Sequence, residues 1–115
     1  MVSHISAPNA LSQDLPASLS SEIITDLLRG EMGYEGIIIT DAMNMGAIAE
    51  NYDSAQAAVM SFQAGADMIL MPEDFQAAYQ GILQAVSSGT ISEERLNQSV
   101  VRILETKLEN FEKNP

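Results

Sequence analysis

The residue best suited to chemistry in this sequence is a carboxylate at the end of an apolar run. Asp41 directly follows Gly36-Ile37-Ile38-Ile39-Thr40, with no basic neighbour to neutralise it. In alternating β/α folds, working residues sit just beyond the C-terminal ends of strands. An Asp there can serve a reaction, or it can simply bond the amides of the next turn; both roles are open to Asp41. Glu73-Asp74 follows a second apolar run, but Asp74 precedes a helical pattern and reads as its N-cap. His4 is the single histidine, and by itself it reads as a structural or surface residue. Met43, Met45, Met68 and Met71 read as packing rather than as metal ligands. Asn97-Gln98-Ser99 matches a glycosylation sequon but falls inside an expected helix. No Gly-x-Ser-x-Gly elbow and no phosphate-binding Gly-Lys-Ser/Thr segment is present.

Composition narrows the classes. The chain has 115 residues, 5 Lys+Arg and 16 Asp+Glu, for a formal net charge of −11. That length suits one domain with a small core. An apolar share of 46% and a charged share of 18% are ordinary for a globular chain. The absence of Cys excludes disulfides, thiolate metal sites and Cys nucleophiles, and a lone His excludes any two-imidazole site from this chain. No cofactor or metal is expected. The acidity argues against nucleic acid and anionic membrane surfaces, because phosphate binding needs clustered Lys and Arg. No apolar run approaches the roughly 18–20 residues of a membrane span. Met1 to Ala10 has neither the basic nor the apolar region of an export signal, which leans toward a cytoplasmic chain.

The elements that must position these residues alternate. Residues 1–6, 36–40 and 68–71 read as strands. The last two are continuously apolar, as in a parallel sheet buried on both faces. Residues 7–16 read as a loop. Ser20, with Ser18 as the alternative, caps an expected first helix bearing Ile23, Ile24, Leu27 and Leu28, and Gly33 suits its C-terminal left-handed position. Residues 42–51 read as a loop or short turn. Asp53 opens a helix carrying Ala55, Ala58, Val59 and Phe62 that Gly65 closes. A third helix runs over 74–87 with Phe75, Tyr79, Ile82, Leu83 and Val86 at helical spacing, and Gly89 closes it. Ser92 caps a last helix with a stripe of Leu96, Val100, Ile103, Leu104, Leu108 and Phe111. The order β-α-β-α-β-α-α predicts an α/β fold of βαβ units. Three strands leave two open edges, so the pattern looks like part of a larger fold.

Several stretches together resemble glycoside hydrolase family 3, and within it the bacterial β-N-acetylhexosaminidases. They are Met1-Val2-Ser3-His4-Ile5, Leu15-Pro16-Ala17-Ser18-Leu19-Ser20, Leu27-Leu28-Arg29 and Met32-Gly33-Tyr34-Glu35-Gly36. Ile37 through Ile48 and Ala64 through Pro72 continue the match in the family's order. The resemblance implies a carbohydrate substrate, such as N-acetylglucosaminides or peptidoglycan fragments. It also implies that Asp41, after the Thr at the strand end, is the catalytic nucleophile of a retaining mechanism.

The resemblance further implies that residues 1–115 are the C-terminal part of a (β/α)8 TIM-type catalytic barrel, supplying its last three parallel strands. The family's upstream sugar-binding segment and the Asp/His pair that acts as acid/base in the hexosaminidase branch have no counterpart here. His4 resembles a His near the sugar site, and so is expected to contact substrate. The chain alone is therefore expected to be inactive. Two alternatives stand beside this reading: a β-glucosidase or β-xylosidase of the same family, and a non-catalytic partial-barrel remnant. Uncovered edges and incompletely covered helices also predict self-association.

Overall fold

The structure is a computed structural model that describes residues 1–6 and 11–113. Residues 7–10, in the expected 7–16 loop, lie outside the described residues. A 3-10 turn at Ala17–Leu19 leads into a π-helix at Glu22–Glu31. Four α-helices follow: α1 Gly46–Ala49, α2 Ser54–Ala64, α3 Phe75–Ser87 and α4 Glu93–Lys113.

The helices begin where capping chemistry places them. Asp53 Oδ1 accepts the Gln56 N–H at 2.7 Å, Asp74 Oδ1 accepts the Ala77 N–H at 3.0 Å, and Ser92 Oγ accepts the Arg95 N–H at 3.1 Å. Gly65 ends α2 at φ +123°, and a side chain there would also collide with Thr25 and Ile24. The helix after Ser20 departs from the expected α-helix. Its last bonds are wider than α spacing, with Met32 N–H donating to Leu27 O at 2.8 Å, five residues back. Gly33 then takes the left-handed conformation at φ +68°. The expected 42–51 loop contains the single turn α1.

The expected sheet of three parallel strands does not form, which corrects the α/β partial-barrel expectation. Among the described residues the pairing is limited to isolated bridges: Val2 with Thr40 and Ile39 with Met68, both parallel, and Ser6 with Pro16, antiparallel. The described fold is predominantly helical, with residues 1–6, 36–40 and 68–70 as extended connections and Met71 turning out of the last at φ +47°.

The physical reason lies in the neighbouring hydrogen bonds. Thr40 N–H donates to Met68 O at 3.1 Å and Met68 N–H to Ile38 O at 3.2 Å, which makes one bridge. To extend it toward Asp41, Leu70 N–H would have to reach Thr40 O, but it donates to Thr40 Oγ1 at 3.1 Å. Ala42 N–H would have to reach Leu70 O, but it donates to Asp41 Oδ1 at 2.8 Å, and Met43 N–H takes Leu70 O instead. In the other direction, Ile38 N–H goes to Asp67 Oδ2 at 2.9 Å. Arg29 occupies Gly36 O at 2.6 Å, and Arg95 occupies Ala66 O at 2.8 Å. Side chains capture the ladder groups on both sides of the bridge, and pairing stops there.

Three small apolar clusters hold the elements together. Leu19, Met43, Ile48 and Ala57 pack beneath the Asp41 loop. Ile24, Ile38, Ala64 and Ala66 join the π-helix to the middle extended segment and the end of α2. Phe62, Ala85 and Ile91 join α2, α3 and the approach to α4. Gly81 lets α3 lie against α2, since a Cβ there would sit 2.8 Å from that of Ala55. Phe75, Tyr79 and Leu83 on α3 and Leu104, Leu108 and Phe111 on α4 are exposed.

Candidate active site

Asp41 is half-buried and sits where three chain segments meet. Its N–H donates to Val2 O at 2.8 Å, and Met43 N–H donates to Leu70 O at 2.8 Å. Residues on both sides of the carboxylate are thus tied to the first and third extended segments. Thr40, fully buried, adds its hydroxyl to the tie with Leu70. Among the described residues, the Asp41 carboxylate accepts one hydrogen bond, from the Ala42 N–H at 2.8 Å. The carboxylate thus organises its own turn while further lone pairs remain.

His4 lies beside the same loop. Its Nδ1 is 2.6 Å from Ser18 Oγ and its Nε2 is 2.8 Å from Ala42 O. The sequence places Thr40 beside Asp41 but does not bring Ser18 here, since that buried hydroxyl arrives through the path of the chain. Asp74 caps α3, and Glu73 is exposed beside it. Among the described residues, no three His, Asp or Glu side chains gather as a metal site requires, and no helix is long and apolar enough to cross a membrane.

A second carboxylate, not anticipated as important, is the electrostatic centre of the molecule. The Asp67 side chain is fully shielded from solvent and accepts four hydrogen bonds. Arg29 donates at 2.6 Å, Arg102 at 2.9 Å, Ser99 Oγ at 2.6 Å and Ile38 N–H at 2.9 Å. Burial pushes this carboxyl up, but the Ser99 hydroxyl, the Ile38 N–H and the Arg102 guanidinium outweigh it and hold it below the ordinary range. Burial lowers Arg29 and Arg95, against the attraction of Asp67. Arg95 stacks over Phe62 at 4.2 Å and donates to Phe62 O, Ala66 O and Ser99 Oγ, joining α4 to the end of α2. All three Arg of the chain converge here. The signal was an Asp inside the apolar stretch 64–71 of a chain with so few cations.

A cavity of about 400 Å³ lies elsewhere, between Phe75, Tyr79, Ile82, Leu83, Val86 and Leu96. Its wall is almost wholly apolar and excludes Asp41, so it lacks the polar groups that fix a ligand's orientation. The reactive candidate is the Asp41 loop.

Comparison with known proteins gives the class first: the relatives are glycoside hydrolases. The chain belongs to glycosyl hydrolase family 3, and residues 1–106 match the family described as Glycosyl hydrolase family 3 N terminal domain. It is 35% identical over 104 residues to "Beta-hexosaminidase A" of Pseudoalteromonas piscicida, covering 81% of this chain and 17% of that protein. It is 31% identical over 101 residues to "Beta-N-acetylglucosaminidase/beta-glucosidase" of Cellulomonas fimi, covering 87% of this chain and 18% of that protein. A family 3 β-N-acetylglucosaminidase from Paenibacillus sp. str. FPU-7 superposes with a TM-score of 0.84 at 46% identity, covering 88% of this chain and 20% of that one. The chain thus spans about a fifth of the length of these relatives.

Proposed function

We propose that this chain carries the nucleophile of a retaining glycoside hydrolase acting on terminal β-N-acetylhexosaminides, and that the nucleophile is Asp41. The observation that supports this most is the clamp: a half-buried carboxylate whose own backbone N–H is bonded to Val2 and whose neighbour Met43 is bonded to Leu70, and which accepts only one hydrogen bond among the described residues. In the reaction, an Asp41 oxygen attacks the anomeric carbon as the glycosidic bond breaks, and the leaving oxygen takes a proton. Water then cleaves the glycosyl ester and restores the carboxylate. Rigid placement matters because a displacement of about 1 Å can cost on the order of 10²-fold in rate. The names of the hexosaminidase and N-acetylglucosaminidase relatives support the sugar class. A β-glucosidase specificity is the second reading, favoured by the double name of the Cellulomonas relative.

The proton donor and most of the sugar site belong, on this reading, to parts of the catalytic domain outside these residues. Two measurements test it with aryl β-N-acetylglucosaminide and aryl β-glucoside. The 115-residue chain alone is expected to give no turnover above buffer. A chimera in which residues 1–106 replace the matching segment of the Paenibacillus enzyme is expected to hydrolyse the N-acetylglucosaminide in preference to the glucoside. Turnover by the short chain, or a chimera that prefers the glucoside, contradicts the reading.

A further inference from the structure

We infer that His4 is a positioning residue for Asp41 and not a contact to the sugar, an inference that rests on the proposed role of Asp41. A carbonyl oxygen only accepts, so the 2.8 Å contact to Ala42 O requires the proton on Nε2. In the neutral ring Nδ1 is then an acceptor, and the Ser18 hydroxyl donates to it at 2.6 Å. Ser18 is fully buried, and its N–H is fixed to Ser3 O at 3.1 Å. Both ring nitrogens are thus used inside the chain, and neither remains for a sugar hydroxyl.

The bond to Ala42 O completes the clamp. The peptide joining Ala42 and Met43 is held at both ends: His4 holds its C=O, and Leu70 O holds its N–H. The peptide before Asp41 is held through its N–H by Val2 O. Between these two fixed planes lies the peptide of Ala42 N–H, the group that orients the Asp41 carboxylate. Without the His4 bond, the Ala42–Met43 peptide is pinned at one end only. Its rotation would carry the carboxylate away from the line of attack on the anomeric carbon. Ala42 O, which only accepts, selects the tautomer in which Nε2 donates, and Ser18 acts one step further out by holding the other ring nitrogen in place.

Two experiments test this. In the full 115-residue chain, nitrogen-15 NMR of the neutral imidazole should show one tautomer, with its proton on Nε2. A neutral ring protonated on Nδ1, or an averaged mixture of the two tautomers, overturns the inference. In the chimera, His4→Phe should lower kcat by about ten- to a hundred-fold with little change in KM, because alignment and not sugar binding is lost. His4→Gln, whose amide can donate to Ala42 O, should recover most of that loss. A rise in KM with kcat unchanged would make His4 a sugar contact and overturn the inference, as would unchanged kinetics or failure of Gln to rescue. The two ideas fail separately. An active Asp41→Ala chimera defeats the proposed nucleophile. An inactive Asp41→Ala chimera beside a His4→Phe chimera of normal kcat defeats only the positioning role.

Discussion

Asp41 and Asp67 are the same residue type at the borders of two neighbouring extended segments, one just after 36–40 and one just before 68–70, yet the chain treats them in opposite ways. Asp67 is sealed from solvent and saturated by two guanidinium groups, a hydroxyl and an amide. Among the described residues, half-buried Asp41 accepts one amide, while the rigidity around it is supplied by backbone bonds to Val2 and Leu70. A carboxylate that holds a fold together uses its lone pairs on the protein. One that is to attack a substrate must keep lone pairs available, and so must be positioned by bonds that do not involve its oxygens. On the proposed reading the difference gives stability to Asp67 and chemistry to Asp41, and each role can be broken by experiment.

The largest expected effect is kinetic. Asp41→Ala in the chimera should lower kcat by at least about 10⁴-fold, the scale of losing a residue of the reacting set, while the melting temperature stays within a few degrees. Kinetic assay paired with thermal unfolding checks both halves, and a variant that unfolds without Asp41 would erase the contrast. The next effect is thermodynamic. Asp67→Ala leaves Arg29 and Arg102 without their shared partner and the Ile38 N–H unpaired. Removing one side of a buried ion pair costs about 3–5 kcal/mol, to be read from denaturant unfolding of the full chain.

How much of this contrast could be read from the sequence depends on the range of the interactions. The helices starting after Asp53, Asp74 and Ser92 were legible because cap and apolar period are local signals, contained within a few residues. Asp41 was legible as a candidate from its place at the end of an apolar run. The sheet was misjudged for a non-local reason: continuously apolar runs specify extended chain, but whether a ladder propagates depends on competing partners. Asp67, Thr40, Arg29 and Arg95 supply those partners, two of them from helices distant in sequence. The π-helical winding after Ser20 was hidden as well, because Ile23, Ile24, Leu27 and Leu28 give an apolar face that an α-helix would use equally. The hydrogen bonds of His4 to Ser18 and Ala42 span 14 and 38 residues, beyond any local pattern.

Acid sharpens the comparison further. Because the folded Asp67 carboxyl titrates below its unfolded value of about 3.9, its contribution is fully present above that value and is lost as pH falls below it toward the folded value. Unfolding free energy of the wild-type chain should therefore fall more steeply below about pH 4 than that of Asp67→Asn, which carries no such proton linkage. Parallel slopes in urea titrations across that window would remove Asp67 from the centre of the network. The smallest effect belongs to the caps. Asp74→Ala should cost about 1 kcal/mol of stability by freeing the Ala77 N–H, measured in the same titrations. A cost approaching that of Asp67→Ala would mean that Asp74 does more than cap α3.

The most direct measurement is where the sugar becomes attached. The chimera is treated with a 5-fluoro aryl N-acetylglucosaminide, whose fluorine slows hydrolysis of a covalent intermediate, then quenched in acid and digested for peptide mass spectrometry. A glycosyl mass on the peptide containing residues 36–45, fragmenting to Asp41, is the result this account predicts. A glycosyl mass on any other residue, or no adduct while the unfluorinated substrate is turned over normally, would contradict it.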